Sequence, residues 1–220
     1  MFKKLLAPTA VTLAILAAAT MLYLSASADD SYTRIRTTDN VSIRYFTDEV
    51  PIASIQTSYI DIPEKEIFTV WSTDIFGGTI VEIRNIVIDF GEYIEYCAFV
   101  MIEVADVIRG DLKPGALVTV LIRSPIRGDG SWLESHALPM KTGMKGIFMP
   151  RKNDESIYWK RGDSTLYLME FVRYGFPDTF RFVFLETTEG VVYSSTWGHT
   201  SAGNVKTLDD VRKYINRMIS

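Results

Sequence analysis

Along most of this chain, apolar and polar residues alternate with the period of a strand, and a helical period emerges only near its end. Tyr32 to Phe46 alternates well enough to predict a hairpin turning at Thr38-Asp39-Asn40. Glu49 to Pro63 is less regular and reads as an arm. Pro63-Glu64-Lys65-Glu66 has the proline and the acids of a first helical turn, and Ile67 to Trp71 suits a short helix or a strand equally. Ile75 to Ile88 predicts a strand in which Gly77-Gly78 marks a bulge or bend. After a turn at Asp89 to Glu92, Tyr93 to Ile108 predicts a second long strand. Cys97, Phe99, Met101 and Glu103 share one face of it, and Ala98, Val100, Ile102 and Val104 the other, up to an irregularity near Asp106.

The composition of Arg109 to Gly115 predicts a turn, and Ala116 to Arg123 a strand that closes a long, coiled hairpin. Arg127 to Glu134 reads as a polar loop. Gly146 to Met149, Ile157 to Trp159, Leu166 to Tyr174, Phe180 to Glu186 and Val191 to Tyr193 read as further strands. The last element is a helix. Thr207 caps it with Asp210 three residues on, and Leu208, Val211, Tyr214, Ile215 and Met218 form its apolar stripe.

The first 28 residues change the picture. Lys3 and Lys4 precede an apolar run from Leu5 to Leu24, and Ala26 and Ala28 frame a site of the kind signal peptidase cuts before Asp29-Asp30. Residues 1–28 are therefore expected to be a signal peptide, with an uncleaved anchor as the alternative, because the run approaches the ~20 residues that span a bilayer. Either way the remainder is expected outside the cytoplasm, secreted or on the outer face of a membrane. Removing the leader leaves 21 Lys+Arg against 27 Asp+Glu, a net charge of −6 over 192 residues. A mildly acidic chain without a basic cluster is a poor ligand for nucleic acid. The single cysteine, Cys97, excludes an internal disulfide, so the core must hold the fold, which points to a bacterial source. Its apolar strand context makes it a buried small hydrophobe rather than a reactive thiol.

Four segments in order carry a resemblance: Ser72-Thr73-Asp74-Ile75 leading into Gly78 to Ile83; Val104 to Asp111; Lys113-Pro114-Gly115 into Val120; and Met140 to Met149. Together with the capped helix at Thr207-Leu208-Asp209-Asp210, they resemble a loose group of uncharacterised exported bacterial proteins with a small OB-like β-barrel. The resemblance covers roughly residues 66–195. It implies a mainly β fold, an OB-like barrel of five or six strands with a C-terminal amphipathic helix, and brings no catalytic residue with it. The expected organisation is a leader (1–28), an N-terminal hairpin and arm (29–62), the barrel (63–206) and the helix (207–220).

Candidate chemistry is sparse. The two histidines, His136 and His199, fall in loop-like stretches near Ser135 and Ser201, but neither serine lies in a nucleophile elbow, and ordinary loop solvation is expected for both rings. No ligand spacing for zinc or calcium and no phosphate-binding loop occurs, so no metal or cofactor is expected. Arg-Gly-Asp occurs at 109–111, 127–129 and 161–163, which turn chemistry accounts for without an adhesive role. The aromatic content stands out, with 4 Trp, 11 Tyr and 12 Phe. Trp132, Trp159 and Trp197 lie near turns or strand ends and are the candidate ligand-binding residues, a platform for sugar rings if they are not simply core and rim. The expectation is a non-enzymatic binding or cell-envelope-associated module whose partner is an extracytoplasmic protein or a carbohydrate, with a membrane partner only if the leader is retained. The alternative is a cell-envelope hydrolase using a loop histidine, His136 or His199.

Overall fold

A computed structural model describes the backbone of residues 34–38 and, in full, residues 40–46, 61–127, 138–195 and 198–220. The leader, Trp132, His136, Trp197 and the Arg-Gly-Asp at 127–129 as a whole lie outside the described residues.

The chain is mainly β, with one sheet curled into a half-barrel and a helix at the C-terminus. The predicted hairpin forms as β1 (Arg34–Thr38) and β2 (Val41–Tyr45). A single helical turn, α1 (Glu64–Glu66), continues into a wider, π-type turn over Ile67–Trp71. The two long strands are β3 (Ile75–Asp89) and β4 (Ile94–Arg109), followed by β5 (Leu117–Ile122), β6 (Lys145–Phe148) and the two-residue β7 (Arg151–Lys152). A separate hairpin, β8 (Tyr158–Arg161) and β9 (Ser164–Tyr167), precedes β10 (Tyr174–Gly175), β11 (Val183–Thr187), β12 (Gly190–Val192) and α2 (Leu208–Ile219). The sheet runs β12-β11-β6-β3-β4-β5-β10-β7, with β2 beside β3 further along the edge that β6 occupies, and β1 on β2. Among the described residues it has ten strands rather than five or six. The excess comes partly from strands too short to carry a period: β7 and β10 exist only because each finds a partner.

Bulges set which face each residue serves. Ile80 pairs with Ile102, but the next pair is Glu82 with Met101, so Val81 is the extra residue. Because side chains alternate with a period of two, that insertion moves the even-numbered residues of β3 to the other face. Ile80 therefore belongs to the first core, with Val100, Ile102, Val120 and Phe184, whereas Ile86 and Ile88 belong to a second core with Val41, Ile43 and Cys97. A second shift lies at Gly77/Gly78, where the sequence predicts it, and the extra residue there is Ala105 of β4. Gly78 is required at this point. A Cβ would stand 2.6 Å from the backbone oxygen of Glu103, which cannot move out of the way.

The first core is closed by α2, which buries Val211, Tyr214 and Ile215. Its capping box is complete: Thr207 Oγ1 accepts from the Asp210 N–H, and the Asp210 carboxylate accepts from the Thr207 N–H. Arg212 of α2 pairs with Asp106 of β4 at 2.5 Å, through the space that Gly77 leaves by having no side chain. The second core is closed by the β8–β9 hairpin through Trp159 and Leu166, and by Leu168 and Val172. Leu166 to Tyr174 is not the single strand predicted from its apolar run. It is β9, a 3-10 turn over Leu168–Glu170, and then β10.

Candidate functional site, a groove on the second face of the sheet

The second core does not cover its whole face. Beyond it, β3, β4 and β5 continue with Glu82, Arg84, Phe99, Met101, Leu117 and Thr119, and these line an open groove of about 610 Å³. The end of the β4–β5 hairpin supplies Leu112 and Ala116 to its lining, and the segment before β10 supplies Phe171 and Arg173. Phe171 sets its ring 6.1 Å from that of Phe99, where the second core gives way to the groove. Leu117, the first residue of β5, is 63% exposed, and with the half-buried Phe99 and Met101 it makes the floor a contiguous apolar surface open to solvent.

Among the described residues, three charged side chains line the groove: Glu82, Arg84 and Arg173. Arg84 bonds Glu82 at 2.5 Å and lies 5.2 Å from the centre of the Tyr45 ring. Arg173 lies 5.6 Å from the centre of the Tyr174 ring. Burial pushes the Tyr174 hydroxyl up to about 12, helped by the nearby Asp74 charge, so it stays protonated at any ordinary pH.

The residues singled out in the sequence fare differently. Trp159 is not part of an exposed platform. It is 8% exposed in the second core, with the Arg123 guanidinium 4.8 Å over its ring, because its inward strand position and its partner Leu166 face the sheet. Trp132 and Trp197 lie outside the described residues.

His199 is not a solvated loop histidine. It is 1% exposed, enclosed by Phe68, Phe184, Tyr193 and Tyr214, the nearest ring centre being that of Phe184 at 4.6 Å. Its Nε2 is 2.7 Å from the Arg181 carbonyl, which can only accept, so the hydrogen is on Nε2. Its Nδ1 faces the Tyr214 hydroxyl at 3.1 Å, while that hydroxyl donates to Glu64 at 2.5 Å. Glu64 also accepts from the Ser201 N–H and hydroxyl and from the Thr200 hydroxyl. Burial opposes its ionisation, but these four bonds outweigh that and hold its carboxyl below the usual range. Burial drives the His199 ring down to about 4, against the pull of the Arg181 carbonyl and the Glu64 charge. The ring is neutral and enclosed, and its one N–H is taken by the Arg181 carbonyl. Ser201 reaches Glu64, not His199, so no serine–histidine pair forms here.

Two Arg-Gly-Asp copies are turns with occupied arginines. Arg109 donates to the carbonyls of Phe68 and Thr69, and Gly110, at φ 106°, packs against Asp74 so closely that no side chain fits. Arg161 bonds Glu95 at 2.6 Å, and Gly162-Asp163 is the two-residue turn of the β8–β9 hairpin. Among the described residues no cluster of His, Cys, Asp or Glu could hold a metal ion. Among them too, no helix is long and apolar enough to cross a membrane.

Sequence reasoning did not identify the groove. The one signal for it was the mixed face Phe99, Met101, Glu103, too apolar for free surface and too polar for core. In class, then, this is a half-barrel β protein, closed by a C-terminal helix and carrying an open apolar groove on its second face. No protein-family model, curated protein or solved structure matches the chain.

Proposed function

We propose that this chain is an exported, non-enzymatic binding module of the cell envelope or its surroundings, and that its ligand site is the groove across β3, β4 and β5. The observation that carries the reading is the groove itself: exposed apolar floor, aromatic border and a volume in the range of small-molecule sites, about 300–1,000 Å³. The apolar lining favours a ligand with an apolar or aromatic body over the carbohydrate that a tryptophan platform would suit, because Trp159 is enclosed. The hydrolase reading loses its support from His199, whose buried ring bonds no serine hydroxyl among the described residues. The curl of the sheet supports an OB-like assignment, and the Lys-Lys, apolar run and Ala-x-Ala pattern at the N-terminus supports export from a bacterial cell.

Thr119 stands partly exposed on the groove floor, on a strand that accepts large side chains. The uncharged fluorophore N-phenyl-1-naphthylamine should brighten on binding the purified protein, and Thr119→Trp, which fills the groove, should abolish that signal with the circular dichroism unchanged. No brightening with the unmodified protein, or equal brightening with the variant, would sink the assignment of the groove. Export is checked by intact mass: protein recovered outside the cytoplasm should begin at Asp29.

A further inference from the structure

We propose that the groove takes a small amphipathic carboxylate, its apolar body on Phe99, Met101 and Leu117 and its head at Arg173. This inference rests on the groove being the ligand site. The argument is one of unmatched charge beside apolar surface. Of the two guanidiniums in the lining, Arg84 is neutralised by Glu82 at 2.5 Å. Arg173 has no carboxylate within 4 Å among the described residues. The acids whose charge reaches the neighbouring Tyr174, namely Asp74 and Asp111, both hold Lys152, at 3.5 Å each. Among the described residues, the lining of the groove therefore carries one cation in excess.

Arg173 is also suitably placed. Its guanidinium lies against the Tyr174 ring, which restrains it while leaving the N–H edge to bind. A planar fork of donors matches a carboxylate in two parallel hydrogen bonds, a geometry that an ammonium would not reproduce. Arg173 is exposed, so the head stays partly solvated and the bond is formed without the desolvation cost of a buried ion pair. Leu117 and Met101, on neighbouring strands of the floor, give an alkyl or aryl body an apolar surface to cover. A neutral sugar would leave the unmatched guanidinium unused, and an apolar hydrocarbon would too.

The test uses displacement of bound N-phenyl-1-naphthylamine by octanoate and by 1-octanol, at low salt, from the full protein and from Arg173→Gln. Arg173 is exposed and its guanidinium bonds nothing in the sheet's ladder, so the variant should fold. Arg173→Gln should raise the octanoate concentration needed about tenfold and leave that of octanol unchanged, the loss of roughly one charge-assisted bond. Raising the salt should weaken octanoate alone. Equal effects on octanoate and octanol, or none on either, while Thr119→Trp still abolishes probe binding, would overturn the carboxylate and leave the groove standing. Failure of the probe to bind, or its binding unimpaired in Thr119→Trp, would overturn both.

Discussion

Burial turns His199 from a candidate catalyst into a pH-dependent strut. The groups facing it are the Tyr214 hydroxyl from α2, the Arg181 carbonyl from the segment leading into β11, and Glu64 of α1 one bond further on. Its folded value, about 4, lies below the ordinary 6.5. An unfolded chain therefore binds a proton here that the folded chain refuses between those limits. The stability due to the neutral ring is fully present above pH 6.5 and is lost as pH falls toward 4, on the order of 3 kcal/mol at the extreme. Glu64, held below its ordinary 4.5, acts in the same direction lower down: its contribution is present above pH 4.5 and lost as pH falls through its folded value. Urea midpoints measured from pH 7 to pH 4 should fall steadily. His199→Gln keeps an N–H for the Arg181 carbonyl but cannot titrate, so its curve should lie lower at pH 7 and be flatter below 6.5. An unchanged slope would show that the ring does not control acid stability.

Local chemistry decides which elements form without help from the rest. The cap of α2 is such a case, since its donors and acceptors all lie within Lys206 to Asp210. Thr207→Ala should cost about 1 kcal/mol, read as a lower urea midpoint at constant slope, and Thr207→Ser should recover most of it. Equal losses in Ala and Ser would mean that the hydroxyl does not cap. The same locality made α2, with its buried Val211, Tyr214 and Ile215, legible in the sequence, and likewise β3, β4 and the bulge at Gly77-Gly78. Where structure depends on a distant partner, periodicity misleads. Leu166 to Tyr174 has a strand's composition, yet Leu168 and Val172 reach the second core from a 3-10 turn and the irregular stretch after it. Trp159 reads as a platform candidate from its place near a strand end, because nothing nearby in sequence announces that a hairpin will lie against β3 and β4. The groove was hidden for the same reason: its lining spans from Tyr45 to Tyr174, and only the folded sheet brings those segments together. The linked trio Glu64, Tyr214 and His199 joins residues 150 positions apart and left no trace in any window.

Two cores share the same pair of strands, and that arrangement ties the stability of the described chain into one unit. β3 and β4 bury Ile80, Val100 and Ile102 on one face and Ile86, Ile88 and Cys97 on the other, so neither core can come apart while the other keeps both strands in place. The parity change at Val81 makes this possible, by giving one continuous strand an apolar side in each core. The expected behaviour is a single cooperative transition rather than separate loss of the β8–β9 cover. Cys97 reports on it directly. It is the only thiol in the chain, it is 1% exposed in the second core, and burial raises its pKa well above the ordinary thiol range. A folded molecule should therefore be inert to a thiol reagent at neutral pH, and labelling should begin only when the second core opens. Following thiol labelling and far-ultraviolet circular dichroism across one urea series should give coincident midpoints. A labelling midpoint clearly below the dichroism midpoint would mean that the hairpin lifts off while the first core persists. The groove, bordered by Phe171 and floored by Phe99, would then lie on the part of the molecule that opens first.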